Sequence, residues 1–330
     1  MTALVVSFVG ALAASPSARL VALRLSLVDM PGARKVHLQP VPYLGGAAIV
    51  AGFVLAVVSA ILVEDLELSS EIWAILVGGL VISAAGLLDD ARAPPMQLKL
   101  SVEIALAAAL YAAGVRTHLF DVWGLDLILT LGWIVGITNA VNLMDNMDGL
   151  TAGISAIAAS YLLALGADAG QAAIAALSAA LAGSALGFLW HNRPPARIFM
   201  GDSGSLFLGF MLAGLGLELR FENIQEVTFF VPVAVLAVPI LDTLMTCAAR
   251  IRRGHSIFRA GRDHVSHRLV AIGISPRGAV ALLYLTGIAS GWLGVVIAHA
   301  ERDTAYLLMG WIIGVGAFLG WLLMRVEVDA

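Results

Sequence analysis

Apolar residues run along this chain in stretches of about 20, the length a helix needs to cross the hydrocarbon core of a bilayer, separated by short polar joints. Eleven such stretches can be laid out, at roughly 3–27, 44–63, 72–88, 98–114, 126–144, 149–166, 170–190, 205–219, 227–248, 277–299 and 304–325. Each predicts a membrane helix. Ser15-Pro16 predicts a kink in the first one. That first stretch has no basic segment before it and no polar domain after it, so it reads as a helix rather than a cleaved signal peptide. Gly and Ala recur throughout, as suits helix backbones that pack closely in lipid. The sequence shows no tandem repeat, low-complexity tract or separate soluble domain. The expected fold is therefore all-α, one polytopic membrane domain over 1–330 with about eleven transmembrane helices.

Composition sharpens this reading. Of the 330 residues, 60% are hydrophobic and 13% charged, against about a quarter charged in soluble domains, and the mean hydropathy is +0.93. A soluble enzyme or a disordered scaffold is excluded, and a net charge of −4 leaves no basic footprint for nucleic acid. A single cysteine, Cys247, excludes a disulfide framework or a zinc site built on several cysteines. The basic residues set an orientation. Sixteen of the 19 Lys and Arg fall on one side, among them Arg34, Lys35, Arg92, Lys99, Arg193 and Arg197 and those of a basic loop over 249–276. Only Arg116, Arg220 and Arg302 fall on the other. The expectation is an N-terminus outside and a C-terminus in the cytoplasm.

Four polar clusters then meet the same cytoplasmic face. Asp89 and Asp90 end the third stretch; Asn139, Asn142, Asp145 and Asp148 end the fifth; Asp202 opens the eighth; His264 and His267 lie in the basic loop. An Asp at the bilayer centre costs roughly 2.5–3.5 kcal/mol, and acids at an interface avoid most of that. Singly, each could be a helix cap or a solvated end: Asp148-Gly149 as the turn into the sixth helix, Asp202-Ser203 as the cap of the eighth. Gathered on one face, carboxylates repel unless a cation joins them. A hard divalent ion suits oxygen ligands, Mg²⁺ above all when phosphates supply the rest. The second cluster steps by three, so neighbours share a helix face. Asp89 and Asp90 are adjacent, point in different directions and are expected to serve different roles.

The segments DMPGARKVHLQPVPYLGG (29–46), GLLDDARAPPMQLKL (86–100), NAVNLMDNMDGLTAG (139–153), MGDSGSLFLGF (200–210), VPILDTL (238–244) and GRDHVSHRL (261–269) follow one another along nearly the whole chain. In that order they resemble the polyprenyl-phosphate N-acetylhexosamine-1-phosphate transferase family. The histidine loop is closer to the UDP-GlcNAc branch than to the branch using UDP-MurNAc-pentapeptide, whose longer histidine run is absent. The UDP-GlcNAc pattern has three His, where this chain has His264, Ser266 and His267. The departure at Ser266 leaves another UDP-HexNAc donor open and carries no role to that position.

The resemblance implies a multi-pass enzyme of the bacterial inner membrane with its site on the cytoplasmic face. It would transfer GlcNAc-1-phosphate from UDP-GlcNAc to a polyprenyl phosphate such as undecaprenyl phosphate, release UMP and start a surface glycan. By the same similarity Mg²⁺, with Mn²⁺ as a substitute, would be held by Asn142 and Asp202 with Asp145 close. Lys99 and Lys35 would hold phosphate oxygens. Asp89, assisted by Asp90, would act on the acceptor. Asp145 and Asp148 would take part in catalysis with Asp89 and Asp90, Asn139 would contact substrate, and His264 and His267, also catalytic, would grip the sugar and diphosphate with Arg262 and Arg268. A homodimer is one assembly compatible with this.

Other readings fare worse on the residues. A secondary transporter would place its polar groups near the midplane on repeated, broken helices. Here only Asp242, after Pro239 in the ninth stretch, sits so, and it is expected to organise the site from below. A CDP-alcohol phosphatidyltransferase would need Ala-Arg shortly after Asp-Gly, but Ala152-Gly153 stands there. A prenyl synthase would need DDxxD, but Asp89-Asp90 is followed by Ala91, Arg92 and Ala93.

Overall fold

The computed structural model describes the whole chain except residues 31–39, 93, 118, 121, 222–224, 259–260, 327 and 329–330, and the side chains of 225 and 226. The described residues form thirteen helices and one small hairpin. The helices are α1 (Thr2–Arg24), α2 (Gly45–Val63), α3 (Ser70–Arg92), α4 (Met96–Ala112), α5 (Trp123–Leu143), α6 (Leu150–Asp168), α7 (Ala172–Asn192), α8 (Gly201–Glu218), α9 (Gln225–Val235), α10 (Ala237–Arg252), α11 (Val265–Ala271), α12 (Pro276–Ala298) and α13 (Arg302–Leu323). The hairpin pairs β1 (Val28–Asp29) with β2 (Val41–Pro42), antiparallel. Among the described residues eight helices are long and apolar enough to cross a membrane, or up to nine spans if the bent α9–α10 pair counts as one. The chain is a polytopic, all-α membrane protein.

Helix α8 is the axis of the bundle. Every residue from Ser203 to Leu217 is buried, so it has no polar face, as expected of a helix enclosed on all sides. Helices α3, α5 and α2 pack directly on it; α7 joins α1, α2 and α6; α12 lies against α9 and α6. Helix α13 is the outermost, with Leu307, Trp311, Ile313 and Phe318 exposed, which suits a lipid-facing position.

The ninth stretch, expected as one continuous helix, is broken. Helices α9 and α10 meet at Leu236 with a bend of 75°. Pro232 lies inside α9 and Pro239 in the first turn of α10; each removes a backbone N–H and crowds the preceding turn. The basic loop is likewise shorter than its 249–276 span, because α10 runs on to Arg252 and α11 occupies 265–271.

The hairpin places the first motif against the fourth. The N–H groups of Gly45 and Gly46 donate to the carbonyls of Phe199 (2.9 Å) and Met200 (2.8 Å), and Phe199 N–H donates to Pro42 (2.9 Å). The chain entering α2 therefore fixes the chain entering α8.

Candidate active site

The polar ends of four helices meet at one end of the bundle. Lys99 enters from the first turn of α4, Asp89 and Asp90 from the last turns of α3, Asn142 from the end of α5 and Asp202 from the start of α8. The Lys99 ammonium donates to Asp202, to Asp89 Oδ2 at 3.4 Å and to Asn142 Oδ1 at 3.4 Å. Asn142 Nδ2 donates to Asp202 Oδ1 (2.9 Å) and to Ser205 Oγ (2.9 Å). One cation thus sits among two carboxylates and an amide, all partly withdrawn from water. Such charge-assisted bonds are about twice as strong as neutral ones.

Asp90 diverges from Asp89, as adjacent helical positions must. Its carboxylate accepts from the backbone N–H of Asp202 (2.9 Å) and of Ser203 (3.2 Å). These are free donors at the start of α8, and a negative group there is also favoured by the helix dipole. The cap of α8 is therefore Asp90 from another helix, not Asp202 itself. Gly201 makes this possible: its φ is +68°, and a Cβ there would lie 2.5 Å from Asp90 Oδ2. Beneath it, a Cβ at Gly86 would lie 2.6 Å from the backbone of Asp202 and Ser203, and Ser83 and Ser203 share a hydrogen bond at 3.1 Å. Helices α3 and α8 thus approach almost backbone to backbone, which fixes Asp202 relative to Asp89.

The turn from α5 to α6 carries the rest of the second motif. Asp148 Oδ2 accepts from Ala196 N–H (2.9 Å), so it braces the α7–α8 connection rather than capping α6. Asn192, at the end of α7, takes the Gly149 N–H (2.9 Å) and gives its amide to Ile198 (3.0 Å). Asp145 lies in the turn between these contacts. Its burial, with the Asp202, Asp90 and Asp148 carboxylates nearby, pushes its carboxyl up to about 7. Asn139, one turn inside Asn142, donates to Glu103 and to Val135 O (2.9 Å).

The histidine segment docks on this turn through Ser266, whose Oγ donates to Asn146 Oδ1 at 2.6 Å. His264 is buried and bound through Nδ1 to Asp242 Oδ2 at 2.7 Å. His267 is half-buried; burial first, and then the neighbouring His264 and Arg262, push its imidazole down to about 4. Arg262 is half-buried beside it. Arg268 is buried and committed to backbone: Nε donates to Asp263 O (3.0 Å) and Nη1 to Leu323 O (3.0 Å) and Val326 O (2.7 Å). It ties α11 to the end of α13, a different position from the substrate contact expected of it. Lys35 lies outside the described residues.

Three participants escape the sequence reading. Glu103 follows Lys99 by one turn, is buried, and its Oε1 has no partner among the described residues. An ionisable residue inside an apolar helix is itself a functional signal, so this one was readable. Asn146 and Ser205, by contrast, carry no pattern of their own and emerge only from the packing.

The donor set near Asp202 is all oxygen: its carboxylate, the Asn142 amide, and the Asp89 and Asp145 carboxyls in the same neighbourhood. Among the described residues no three of His, Cys, Asp and Glu converge as a self-sufficient metal cage. Mg²⁺ is commonly held by one or two carboxylates together with substrate phosphates, and the residues present fit such an ion.

Comparison with known proteins shows the family of the chain. Residues 72–220, from α3 to the end of α8, match the model of Glycosyl transferase family 4. Over 91% of its length the chain is 34% identical to a Bacillus subtilis protein named "Probable undecaprenyl-phosphate N-acetylglucosaminyl 1-phosphate transferase", covering 85% of that relative. It is 35% identical over 90% of its length to the decaprenyl-phosphate N-acetylglucosaminephosphotransferase of Mycobacterium tuberculosis, covering 82% of it. It is 26% identical over 88% of its length to the undecaprenyl-phosphate alpha-N-acetylglucosaminyl 1-phosphate transferase of Escherichia coli, covering 82% of it. With its six motifs in order and similarity along nearly its full length, the chain belongs to glycosyl transferase family 4, among the polyprenyl-phosphate N-acetylhexosamine-1-phosphate transferases.

Proposed function

We infer that this protein transfers GlcNAc-1-phosphate from UDP-GlcNAc to a polyprenyl phosphate, giving polyprenyl-diphosphate-GlcNAc and UMP. The observation that carries the reading is the Lys99 ammonium held between Asp89, Asn142 and Asp202 at one end of an apolar bundle. The reaction brings together two anions, a lipid phosphate and a donor diphosphate, so its first requirement is positive charge held in place. Lys99 supplies it and, as its acidic partners exchange for phosphate oxygens, stays anchored on α4. Mg²⁺, with Mn²⁺ as substitute, bound by Asp202, Asn142 and Asp145, would neutralise the diphosphate and stabilise the departing UMP.

Asp89 faces the lysine and orients the acceptor phosphate. That phosphate is largely dianionic near pH 7, with a second pKa of about 6, so orientation matters more than proton removal. Asp90 acts at one remove by holding the start of α8. The lipid phosphate attacks the β-phosphorus of the donor directly, and His264, His267 and Arg262 hold the sugar and diphosphate. The apolar helices around Asp89 give the prenyl tail its groove.

The lengths of the apolar stretches support eleven crossings, and the bias of Lys and Arg supports a site at the cytoplasmic face of the inner membrane, with the N-terminus outside and the C-terminus inside. The α9–α10 pair then counts as one broken span, and α4 and α8 cross although they are short. The test is UMP release by the purified protein in detergent. Release should require UDP-GlcNAc, polyprenyl phosphate and Mg²⁺ together; release without the lipid, or none with all three, would count against the reading.

A further inference from the structure

We propose that Asp242 is a positioning residue for His264: it fixes the ring proton on Nδ1 and so presents the Nε2 lone pair to a hydroxyl or amide N–H of the bound nucleotide-sugar. This rests on the transferase reading above for the identity of the ligand, though not for the state of the ring.

Asp242 lies on α10, two turns beyond the break that separates it from α9. It is 4% exposed, and so is His264. Both carboxylate oxygens are used. Oδ2 meets His264 Nδ1 at 2.7 Å, and Oδ1 accepts the backbone N–H of Val265, also at 2.7 Å. Val265 is the first residue of α11 and His264 its N-cap, so one carboxylate holds both the ring and the helix that carries it. Thr246 Oγ1, one turn further along α10, approaches Nδ1 only at 3.4 Å. The shorter, charge-assisted contact dominates, which makes Nδ1 the donor. A neutral imidazole with its proton on Nδ1 has Nε2 as an acceptor. Among the described residues, every side-chain hydrogen bond of His264 runs through Nδ1.

The segment that carries the ring docks beside the site. The His267 ring stands edge-on at 6.2 Å, and Ser266, between the two histidines, is latched to Asn146 next to Asp145. The acid on α10, beyond the bend from α9, thus meets the Nδ1 side of the His264 ring.

A purely structural role for Asp242 can be separated from a positioning role. In Asp242→Asn the single amide oxygen can still cap Val265, which leaves the NH₂ facing Nδ1. Two donors cannot share 2.7 Å, so the ring must move its proton to Nε2. The same substitution in Ser-His-Asp hydrolases leaves the geometry intact with the wrong tautomer, at a cost of about 10⁴ in kcat. Here the ring binds rather than shuttles a proton. The loss is therefore that of an unmatched polar contact, about 10- to 100-fold in donor KM.

The experiment measures kcat and both KM values for the full-length protein in detergent, as wild type, Asp242→Asn, His264→Ala and the double variant. Asp242→Asn should raise donor KM by about 10- to 100-fold with acceptor KM within about threefold. In the His264→Ala background it should change donor KM by less than about threefold, because its effect passes through the ring. An equal cost in both backgrounds, or acceptor KM rising with donor KM, would overturn the proposal. If Asp242→Asn does not fold, ¹⁵N-histidine NMR of the wild type decides: Nδ1 protonated and Nε2 bare is expected, and a proton on Nε2 overturns it. A wild type that makes no GlcNAc lipid would sink the transferase reading, while the NMR result still judges the role of Asp242.

Discussion

Gly86→Ala tests whether the close approach of α3 and α8 sets the geometry of the site. The added Cβ would stand 2.6 Å from the backbone C and O of Asp202 and N of Ser203, where ordinary contact begins at 3.4 Å. All three are backbone atoms, so no side chain can swing away, and the helices must part by about 0.8 Å. Asp90 would then lose part of its grip on the Asp202 and Ser203 N–H groups, now at 2.9 and 3.2 Å, at a cost of about 1–3 kcal/mol. Asp202 would shift against Asp89 and Lys99 by a similar distance, and a 1 Å misplacement can cost about 100-fold in rate. Alanine favours a helix over glycine by about 1 kcal/mol, so the helix itself should not suffer. The assay is kcat for UMP release at saturating substrates and Mg²⁺, with Gly132→Ala and Gly136→Ala as controls, since a Cβ at either meets nothing within 4 Å. The expected result is a loss of about 100-fold in the first and less than about twofold in the controls. Gly86→Ala retaining more than about a third of the activity would refute the geometric argument.

Asp202→Ala and Asn142→Ala should each leave less than about a tenth of Mg²⁺-dependent turnover, a loss above about 1.4 kcal/mol, in protein that still folds; more residual activity argues against metal ligation. Asp89→Asn should lower kcat with the thermal midpoint near wild type, whereas Asp90→Asn should lower both, because one of its two bonds to α8 is lost; equal midpoints would contradict the division of roles. His267, held at about 4 in the fold against 6.5 when free, binds fewer protons folded than unfolded. Stability should therefore be full above about pH 6.5 and fall between about 6.5 and 4, and His267→Gln should flatten that fall in thermal midpoints read against pH; an unchanged profile would exclude it as the cause. Direct attack predicts no exchange of labelled UMP into UDP-GlcNAc without the acceptor lipid, whereas exchange would indicate a covalent aspartyl-phosphate route.

Much of this site could be read from the chain because it lies where apolar runs end. Asp89, Asn142, Asp145 and Asp202 each stand at a helix boundary fixed by hydrophobic length, and a cluster at one interface follows from sorting those boundaries by side. What could not be read is who partners whom. Asp90 looks like a second acid beside Asp89 until α8 is seen to start on it, and Arg268 looks like a phosphate ligand until its guanidinium is found on the carbonyls of α13. Both depend on contacts between residues far apart in sequence. The break at Leu236 is intermediate: Pro232 and Pro239 signal a disturbance, but neither by itself sets the 75° of the bend. The short β1–β2 pairing rests on two residues per strand, too few to leave a period in the sequence.

The most direct test of the central claim is mass spectrometry of the lipid product after the purified protein is incubated with polyprenyl phosphate, Mg²⁺ and a panel of UDP-sugars. The account predicts a polyprenyl diphosphate carrying one N-acetylglucosamine, formed with UDP-GlcNAc in preference to the other donors. A lipid that remains a monophosphate with every donor, or one that gains sugar without the second phosphate, would contradict it.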